Sequence, residues 1–192
     1  MQELNPEWLL QVKAGDIGAF TQIVETFQKP VYSLCYRMLG NAQDAEDAAQ
    51  ETFMRAYKSM HRFDLKRPFS TWLLSIAAHY CIDQIRKARM KLISIEELSI
   101  PELPDRELGV EMKLSHKEEQ EKIRILLEAL SPTDRACVVM YYWHEFSYDE
   151  ICDALSLSQS AVKSRLHRAR REMARQWKNN YSESLLMEGM VS

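Results

Sequence analysis

The chain has 192 residues and a formal net charge of −3, with 46% hydrophobic and 28% charged residues. This length allows one or two small domains, and few Gly and Pro beside many Leu, Ala, Glu, Lys and Arg residues favour helix. The sequence contains no apolar run of about eighteen residues, and it begins without the basic and then apolar pattern of a signal peptide. We therefore expect a cytoplasmic protein with no membrane insertion.

Positive charge is concentrated in two stretches of an otherwise acidic chain. Residues 55–91 hold nine Lys or Arg and two acidic residues, and residues 161–178 hold seven and one. Residues 1–54 and 92–160 are strongly acidic. Two separate basic stretches favour two contacts with one polyanion, while the acidic remainder should limit non-specific binding of nucleic acid by the free chain.

The four cysteines occur singly in apolar helical patterns, at Cys35, Cys81, Cys137 and Cys152. Such residues are more often small buried hydrophobes than ligands, and neither they nor the five histidines cluster at metal-ligand spacing. The sequence also lacks Gly-rich phosphate loops, nucleophile elbows and H-E-x-x-H motifs. We expect no metal, no cofactor and no enzymatic activity.

Apolar residues at helical spacing predict four helices between residues 5 and 90. The first covers about residues 5–14 and stops near Gly15. The second begins near Asp16 and should be kinked or broken at Pro30, because proline lacks the backbone N–H and crowds the preceding turn.

The third helix begins near Ala42, after a Gly-Asn pair, and carries acids in its first turns, where they suit the helix dipole. The polar segment "HRFDLKRP" then predicts a loop. The fourth helix should begin with Ser70 as its N-cap and end in "RKARMK".

The remaining sequence divides into three parts. Residues 91–118 mix acids with two prolines and a glycine and show no steady period, which predicts a flexible linker. Residues 119–178 are helical again, and residues 179–192 form a tail that should be frayed. The expected fold is all-α, with two small helical domains joined by the linker.

A short capped helix, a turn and a basic helix follow one another near the end of the chain. "SYDE" forms a capping box from Ser147 to Glu150, and Ser158 can cap the basic helix. This order predicts a helix-turn-helix, whose second helix lies in the DNA major groove with its N-terminal residues near base edges. A solvated basic helix face is the alternative interpretation.

A helical wheel separates two faces of the basic helix. The inward face carries Val162, Leu166, Ala169 and Met173. Lys163 and Arg168 could donate to guanine acceptors or to phosphate, and Ser160 and Ser164 are short enough to permit close approach. The side chains assigned to DNA are Ser160, Lys163, Ser164, Arg165, His167, Arg168, Arg170 and Arg171.

Two further faces are candidates for binding. In "DAEDAAQETFMRAY", residues 44–57, the acids and Gln50 lie opposite Phe53, and periodicity alone favours a solvated face. In residues 67–89, aromatic side chains interleave with basic ones, a combination that can hold unstacked bases and track phosphates. For Trp72 and Tyr80, however, a position in the core is the favoured interpretation.

Three segments in this order resemble the extracytoplasmic-function (ECF) sigma factors of bacterial RNA polymerase. They are "YRMLGNAQDAEDAAQETFMRAY", "FSTWLLSIAAHYCIDQIRK" and "LSPTDRACVVMYYWHEFSYDEICDALSLSQSAVKSRLHRARREM". The resemblance covers residues 12–90 and 120–178, which makes it far more specific than a lone helix-turn-helix. It implies a region-two-like bundle at residues 5–90 and a region-four-like helix-turn-helix domain at residues 119–178.

The resemblance also implies a role for each surface. The surface that docks on the β′ clamp helices of the polymerase would comprise Asp44, Asp47, Gln50, Glu51 and Arg55. Segment 62–87 would recognise and open the minus-ten promoter element, with candidates Arg67, Phe69, Trp72, His79, Asp83, Arg86 and Lys87. The last helix would read the minus-thirty-five element. The implied partners are core polymerase, through its β′ clamp helices and β flap, promoter DNA and an anti-sigma factor.

Two positions depart from the family pattern. Many relatives have Asn where this chain has His79, and many have a Gly-Thr pair where it has Ser160 and Ala161. Both positions lie in predicted DNA-contacting segments, so they bear on base preference.

Two other functions compete with the resemblance. A stand-alone helix-turn-helix regulator would dimerise and bind a palindromic site. A helical adaptor without DNA binding would show no salt-dependent affinity for DNA.

Overall fold

A computed structural model describes residues 6–96 and 114–188, and these residues form helices joined by short connections. The helices are α1 (Pro6–Lys13), α2 (Ile17–Leu39), α3 (Ala42–Ser59), α4 (Phe69–Glu96), α5 (Leu114–Glu128), α6 (Pro132–Trp143), α7 (Tyr148–Leu155) and α8 (Gln159–Glu188). A 3-10 turn, Met60–Arg62, follows α3. The described ranges contain no strand, and the prediction of an all-α fold is confirmed.

The helix ends in the first half follow local capping chemistry. Asp16 accepts a hydrogen bond from the backbone N–H of Ala19 at 3.2 Å and begins α2. Gly40 ends α2 in the left-handed region, at φ +81°, which glycine adopts without the strain that a Cβ would bring. Asn41 accepts from the N–H of Asp44 at 2.7 Å and begins α3. These ends agree with the sequence prediction because they depend on neighbouring residues.

Two helix boundaries that the sequence suggested are absent: a break of α2 at Pro30 and an N-cap at Ser70. Pro30 lies inside α2, which continues through it, because buried residues on both sides, such as Phe27 and Val31, hold the helix against its neighbours. Ser70 is not an N-cap, since α4 already begins at Phe69 and the N–H of Trp72 donates to the Pro68 carbonyl at 3.2 Å. Tertiary burial outweighs the local signal in both cases.

Helices extend into both ends of the predicted linker and into the predicted tail. Helix α4 continues to Glu96 and α5 begins at Leu114, so both ends of the 91–118 segment are helical. Residues 97–113, the rest of that segment, lie outside the described residues. Helix α8 continues to Glu188, although residues 179–192 were expected to fray. No Pro or Gly interrupts the helix before Gly189, which explains the continuation.

The helices form two bundles that pack against each other. The first bundle, α1–α4, buries residues that include Ile23, Phe27, Leu34, Leu73 and Leu74. The second bundle, α5–α8, buries residues that include Val138, Met140, Ile151, Val162 and Leu166. Helix α2 packs on α6, and α4 packs on α6 and α7, so the two cores join into one continuous apolar cluster.

The capping box of α7 should make a measurable contribution to stability. Replacing Ser147 by Ala should lower the free energy of unfolding by about 1 kcal/mol, because the N–H of Glu150 loses the acceptor that it now has at 3.2 Å. Chemical denaturation followed by circular dichroism measures this loss. Ser164→Ala, at an exposed position within α8, is the control and should change stability by less than about 0.5 kcal/mol. Equal effects of the two substitutions would contradict the role of the cap.

Candidate nucleic-acid and polymerase interfaces

Helices α7 and α8 form the predicted helix-turn-helix. The N–H of Ser147 donates to the Glu150 carboxylate at 2.8 Å, which completes the capping box. Ser156 ends α7 in the left-handed region, at φ 54°, and its N–H donates to the Cys152 carbonyl oxygen. Ser158 then accepts from the N–H of Ala161 at 3.2 Å and begins α8. Each of these contacts joins residues close in sequence, so the motif is locally determined.

The rotation of α8 is fixed by its buried face. Val162, Leu166 and Ala169 are all buried, as the helical wheel predicted, and Met173 packs against the core from the same side. Most side chains assigned to DNA are exposed on the remaining surface: Ser160, Lys163, Ser164, His167, Arg168, Arg170 and Arg171. A basic, solvent-facing surface on the second helix of a helix-turn-helix is the geometry that major-groove binding requires.

Arg165 lies apart from the other cations of α8. Its guanidinium donates to the Asp134 carboxylate at 2.8 Å, and Arg168 approaches the same carboxylate at 3.9 Å. Asp134 is in the first turn of α6 and also donates its N–H to the capping Ser131. The sequence assigned Arg165 to DNA and gave no sign of its pairing with Asp134, because the two residues are 31 positions apart. The carboxylate links the reading helix to α6.

The predicted polymerase-docking residues lie together along α3. Asp44, Asp47, Gln50 and Arg55 are exposed, and Glu51 is half-buried. Arg55 pairs with Glu51 at 2.7 Å, and its guanidinium lies 4.8 Å from the ring centre of Tyr80 on α4. Such a contact stabilises the cation over the aromatic face. Among these five residues, Asp44 and Asp47 make the N-terminal part of the face acidic. Arg55 is the cation of the set, and Glu51 and Tyr80 hold it in place.

A cleft between α3 and α4 widens this surface. Asp44 and Asp47 of α3 line this cleft together with Arg89 of α4 and Arg135 of α6. The cleft therefore brings acidic side chains of the first bundle near a cation of the second. No sequence pattern indicated this proximity.

The predicted minus-ten residues follow one stripe of α4. His79, Asp83, Arg86 and Lys87 are exposed at helical spacing, and Nδ1 of His79 lies 2.8 Å from the carbonyl oxygen of Ser75. The stripe continues toward the start of the helix with half-buried Trp72. Basic and aromatic groups therefore share one surface.

Phe69 differs from the other members of this set. It is only 6% exposed, and its ring packs within 5.5 Å of the rings of Phe27, Phe63 and Trp72, measured between centres. Phe69 thus lies beneath Trp72 and presents no free ring face to solvent. Trp72 and Tyr80, for which a position in the core was favoured, pack against the core and are half-buried.

The described residues were also compared with the requirements of a metal site, a reactive cysteine and a membrane-spanning helix. Among them, no group of three or more His, Cys, Asp or Glu side chains lies close enough together to hold a metal ion. Cys35, Cys81 and Cys137 are buried, and burial raises the pKa of the Cys137 thiol to about 12. Within residues 6–96 and 114–188, no helix combines the length and apolar character that crossing a bilayer requires.

Comparison with known proteins gives the family. Residues 23–90 match the model of Sigma-70 region 2, and residues 120–173 match that of Sigma-70 region 4. The ECF RNA polymerase sigma factor SigW of Bacillus subtilis is 36% identical over 189 residues, which are 92% of this chain and 98% of SigW. The chain belongs to the ECF RNA polymerase sigma factors. The B. subtilis sigma factor SigM is 30% identical over 152 residues, covering 79% of this sigma factor and 91% of SigM.

Solved structures support the same fold. CnrH, in complex with the cytosolic domain of CnrY, aligns with a TM-score of 0.69 at 22% identity over 91% of this sigma factor and 97% of CnrH. RpoE of Bartonella quintana, in complex with the anti-sigma factor NepR, aligns with a TM-score of 0.65 at 20% identity over 85% of this chain and 99% of RpoE. At these identities the likeness concerns the fold alone.

Membership of this family decides between the sigma-factor function and the stand-alone regulator that the sequence left as an alternative. The resemblance to ECF sigma factors is confirmed, and a stand-alone helix-turn-helix regulator is not favoured. This sigma factor directs RNA polymerase to promoters. The role of each individual side chain remains a prediction.

Proposed function

We propose that this sigma factor divides promoter recognition among three helices: α3 docks on core polymerase, α4 engages the minus-ten element, and α8 reads the minus-thirty-five element. The observation that carries the proposal is the placement of two basic surfaces, on α4 and α8, in two bundles of one chain whose remaining surface is acidic. Two readers held at a set distance by the polymerase gain affinity through effective concentration.

Docking is assigned to the exposed face of α3. Asp44, Asp47 and Gln50 point to solvent, and the Glu51–Arg55 pair adds a fixed polar edge. These residues suit a basic or amide-rich partner surface such as the β′ clamp helices. Electrostatic complementarity of this kind steers association and sets the register of the complex. The β flap is assigned to the second bundle, where it would hold α8 over the DNA.

Minus-ten engagement is assigned to the stripe of α4. Trp72 offers a partly exposed ring for an unstacked base, and Arg86 and Lys87 offer charge to the displaced strand. Phe69 supports Trp72 from beneath. Arg67, His79 and Asp83 complete the surface, with His79 in the position where many relatives have Asn.

Reading of the minus-thirty-five element is assigned to the exposed face of α8. Lys163 and Arg168 are the candidates for base edges, with Ser160 and Ser164 allowing close approach and His167 beside them. Arg170 and Arg171 contact phosphate, as does Arg165 if it exchanges its partner Asp134 for the DNA backbone. The sigma factor acts in the cytoplasm without chemistry of its own. An anti-sigma factor is a further partner, of the kind that RpoE of Bartonella quintana has in its complex with NepR.

Run-off transcription tests the proposal directly. Purified bacterial core polymerase is assayed with and without the full chain on genomic fragments. We expect new, discrete start sites that share two sequence elements at a constant spacing. Stable binding to core polymerase without new starts on a complete set of fragments would contradict the assignment of α4 and α8 to promoter DNA.

A further inference from the structure

One carboxylate of α6 lies against two arginines of α8. Oδ1 of Asp134 accepts a hydrogen bond from Nη1 of Arg165 at 2.8 Å and is 3.9 Å from Nη2 of Arg168. The two arginines are three positions apart on one helix, so they share the side that faces the beginning of α6. A single acidic side chain of the second bundle therefore lies beside two cations assigned to DNA.

The position of Asp134 is fixed by α6 itself. Ser131 caps this helix, and the N–H of Asp134 donates to the Ser131 hydroxyl at 3.2 Å. The helix dipole also favours an acidic side chain in the first turn. Only 16% of the Asp134 side chain is exposed, so the carboxylate has little freedom to move away from the arginines. Helix α6 thus presents a negative charge to α8 at a constant place.

The pair with Asp134 leaves part of Arg165 unsatisfied. The Arg165 side chain is 28% exposed, and within the described residues its Nε is buried and has no hydrogen-bond partner. A buried donor without an acceptor costs free energy, which offsets part of what the ion pair contributes to the fold. Stabilisation of the fold alone therefore does not account for the arrangement.

An open groove along α8 contains four cations and borders Asp134. These cations are Arg168, Arg171, Arg175 and Lys178. Asp134 and Glu172 are the acids of the same lining, and Glu172 pairs with Arg175 within α8 at 2.6 Å. Asp134 belongs to another helix, and its charge is directed to Arg165 and Arg168. A DNA phosphate that approached this groove would compete with Asp134 for those two arginines.

Competition of this kind affects unrelated DNA and promoter DNA differently. Binding to unrelated DNA depends almost entirely on phosphate contacts, which every sequence offers, whereas promoter binding also includes base edges. On a promoter, Arg168 can stay beside Asp134 while it meets a base edge. On unrelated DNA, each arginine gains a contact only by leaving Asp134 for a phosphate. The carboxylate therefore lowers the affinity for unrelated DNA by a larger factor than the affinity for the promoter.

We propose that Asp134 is a specificity-determining residue of this sigma factor: its carboxylate competes with the DNA backbone for Arg165 and Arg168 and so suppresses binding to unrelated sequences. The inference rests on the proposed reading role of α8. Asp134 needs no contact with DNA for this effect, because it acts through the two arginines. It is a positioning residue of the reading helix.

The salt dependence of binding to an unrelated duplex tests the competition. Asp134→Asn keeps the shape of the side chain and removes its charge. In the full chain it should raise the affinity for this duplex about fivefold or more at ~0.1 M salt, and the slope of log K against log[salt] should become steeper by about 0.9 for each arginine released. Asp134→Glu retains the charge and should restore the wild-type slope. A merely structural role would leave the slope unchanged or weaken binding, and either result would overturn the proposal.

Asp149→Asn is the matched control for the change in net charge. It removes one negative charge from an exposed position of α7 in the same helix-turn-helix, where the carboxylate accepts from the Gln159 amide at 2.5 Å. It should change the affinity for the unrelated duplex by less than about twofold, since salt screens exposed charges. An equal rise for both variants would show a general effect of charge and contradict competition at the arginines. Asp134→Ser decides the case if Asp134→Asn lowers the helix content seen by circular dichroism, and it should give the same steeper slope.

Competition between a promoter and an unrelated fragment, both bound by the holoenzyme, tests specificity separately. Asp134→Asn should lower the ratio of promoter to unrelated-fragment affinity by about threefold or more, because the unrelated fragment gains the phosphate contact in full. A preserved ratio would overturn the role of Asp134 in specificity. If replacing Lys163 and Arg168 by Ala also leaves the ratio at its wild-type value, the proposed reading role of α8 is wrong. A lowered ratio for that double variant, with an unchanged salt slope for Asp134→Asn, refutes the competition alone.

Discussion

Asp47→Lys should abolish productive binding of this sigma factor to core polymerase, lowering the affinity by about a hundredfold or more. Asp47 is exposed on α3 between Asp44 and Gln50, one helical turn from each, so its reversal places a cation at the centre of the proposed docking face. Like charges facing each other in an interface cost several kcal/mol, and about 2.7 kcal/mol corresponds to a hundredfold loss.

Fluorescence anisotropy of labelled sigma factor titrated with core polymerase measures this loss. Glu25→Lys is the matched control, because it makes the same charge change at an exposed position of α2 outside the docking face. It should retain wild-type affinity. The assignment of α3 to docking is wrong if Asp47→Lys binds core polymerase normally and impairs only the choice of promoter.

Replacing Lys163 and Arg168 together by Ala should reduce promoter-specific initiation by about a hundredfold or more and leave core binding intact. Each good base contact is worth about 1–3 kcal/mol of discrimination, and the two side chains share the exposed face of α8. The affinity for DNA falls as salt rises, and a plot of log K against log[salt] is linear. Each phosphate contact that is lost should make this slope shallower by about 0.9.

Competition between a specific promoter and an unrelated fragment, both bound by the holoenzyme, measures the loss. Arg175→Ala combined with Lys178→Ala removes the same charge farther along α8 and is the control. The control should weaken binding of the promoter and of the unrelated fragment by the same factor, so that the ratio of the two affinities is preserved. If the variant lacking both Lys163 and Arg168 keeps the wild-type ratio of promoter to unrelated-fragment affinity, these side chains contact phosphate and do not read bases.

The parts of this structure that the sequence predicts are those fixed by neighbouring residues. The predicted caps at Ser147 and Ser158 each join residues three positions apart, and the buried face of α8 follows from helical spacing alone. These predictions hold because capping and helical spacing depend on residues close in sequence and need no contact with a distant residue.

The predictions that failed depend on contacts between distant residues. The helix passes through Pro30 because α2 is packed along its whole length, and α4 begins before Ser70 because the Phe69 ring is buried in an aromatic cluster. The contact between Arg135 and Met38 spans 97 positions, and no local pattern in α6 signals that its arginine is buried. Sequence periodicity gives the face of a helix but does not say which other helix will cover it.

Different residues of α8 anchor the helix and face DNA, and this separation affects how the promoter preference of such factors can evolve. Val162, Leu166 and Ala169 hold the helix in place, while Lys163, Ser164, His167 and Arg168 face solvent, and no residue belongs to both sets. Mutations on the outer set can therefore accumulate at little cost in stability. A duplicated gene could drift toward a different set of promoters through stepwise changes, each leaving a folded protein, so that two descendants come to serve separate regulons on the same polymerase.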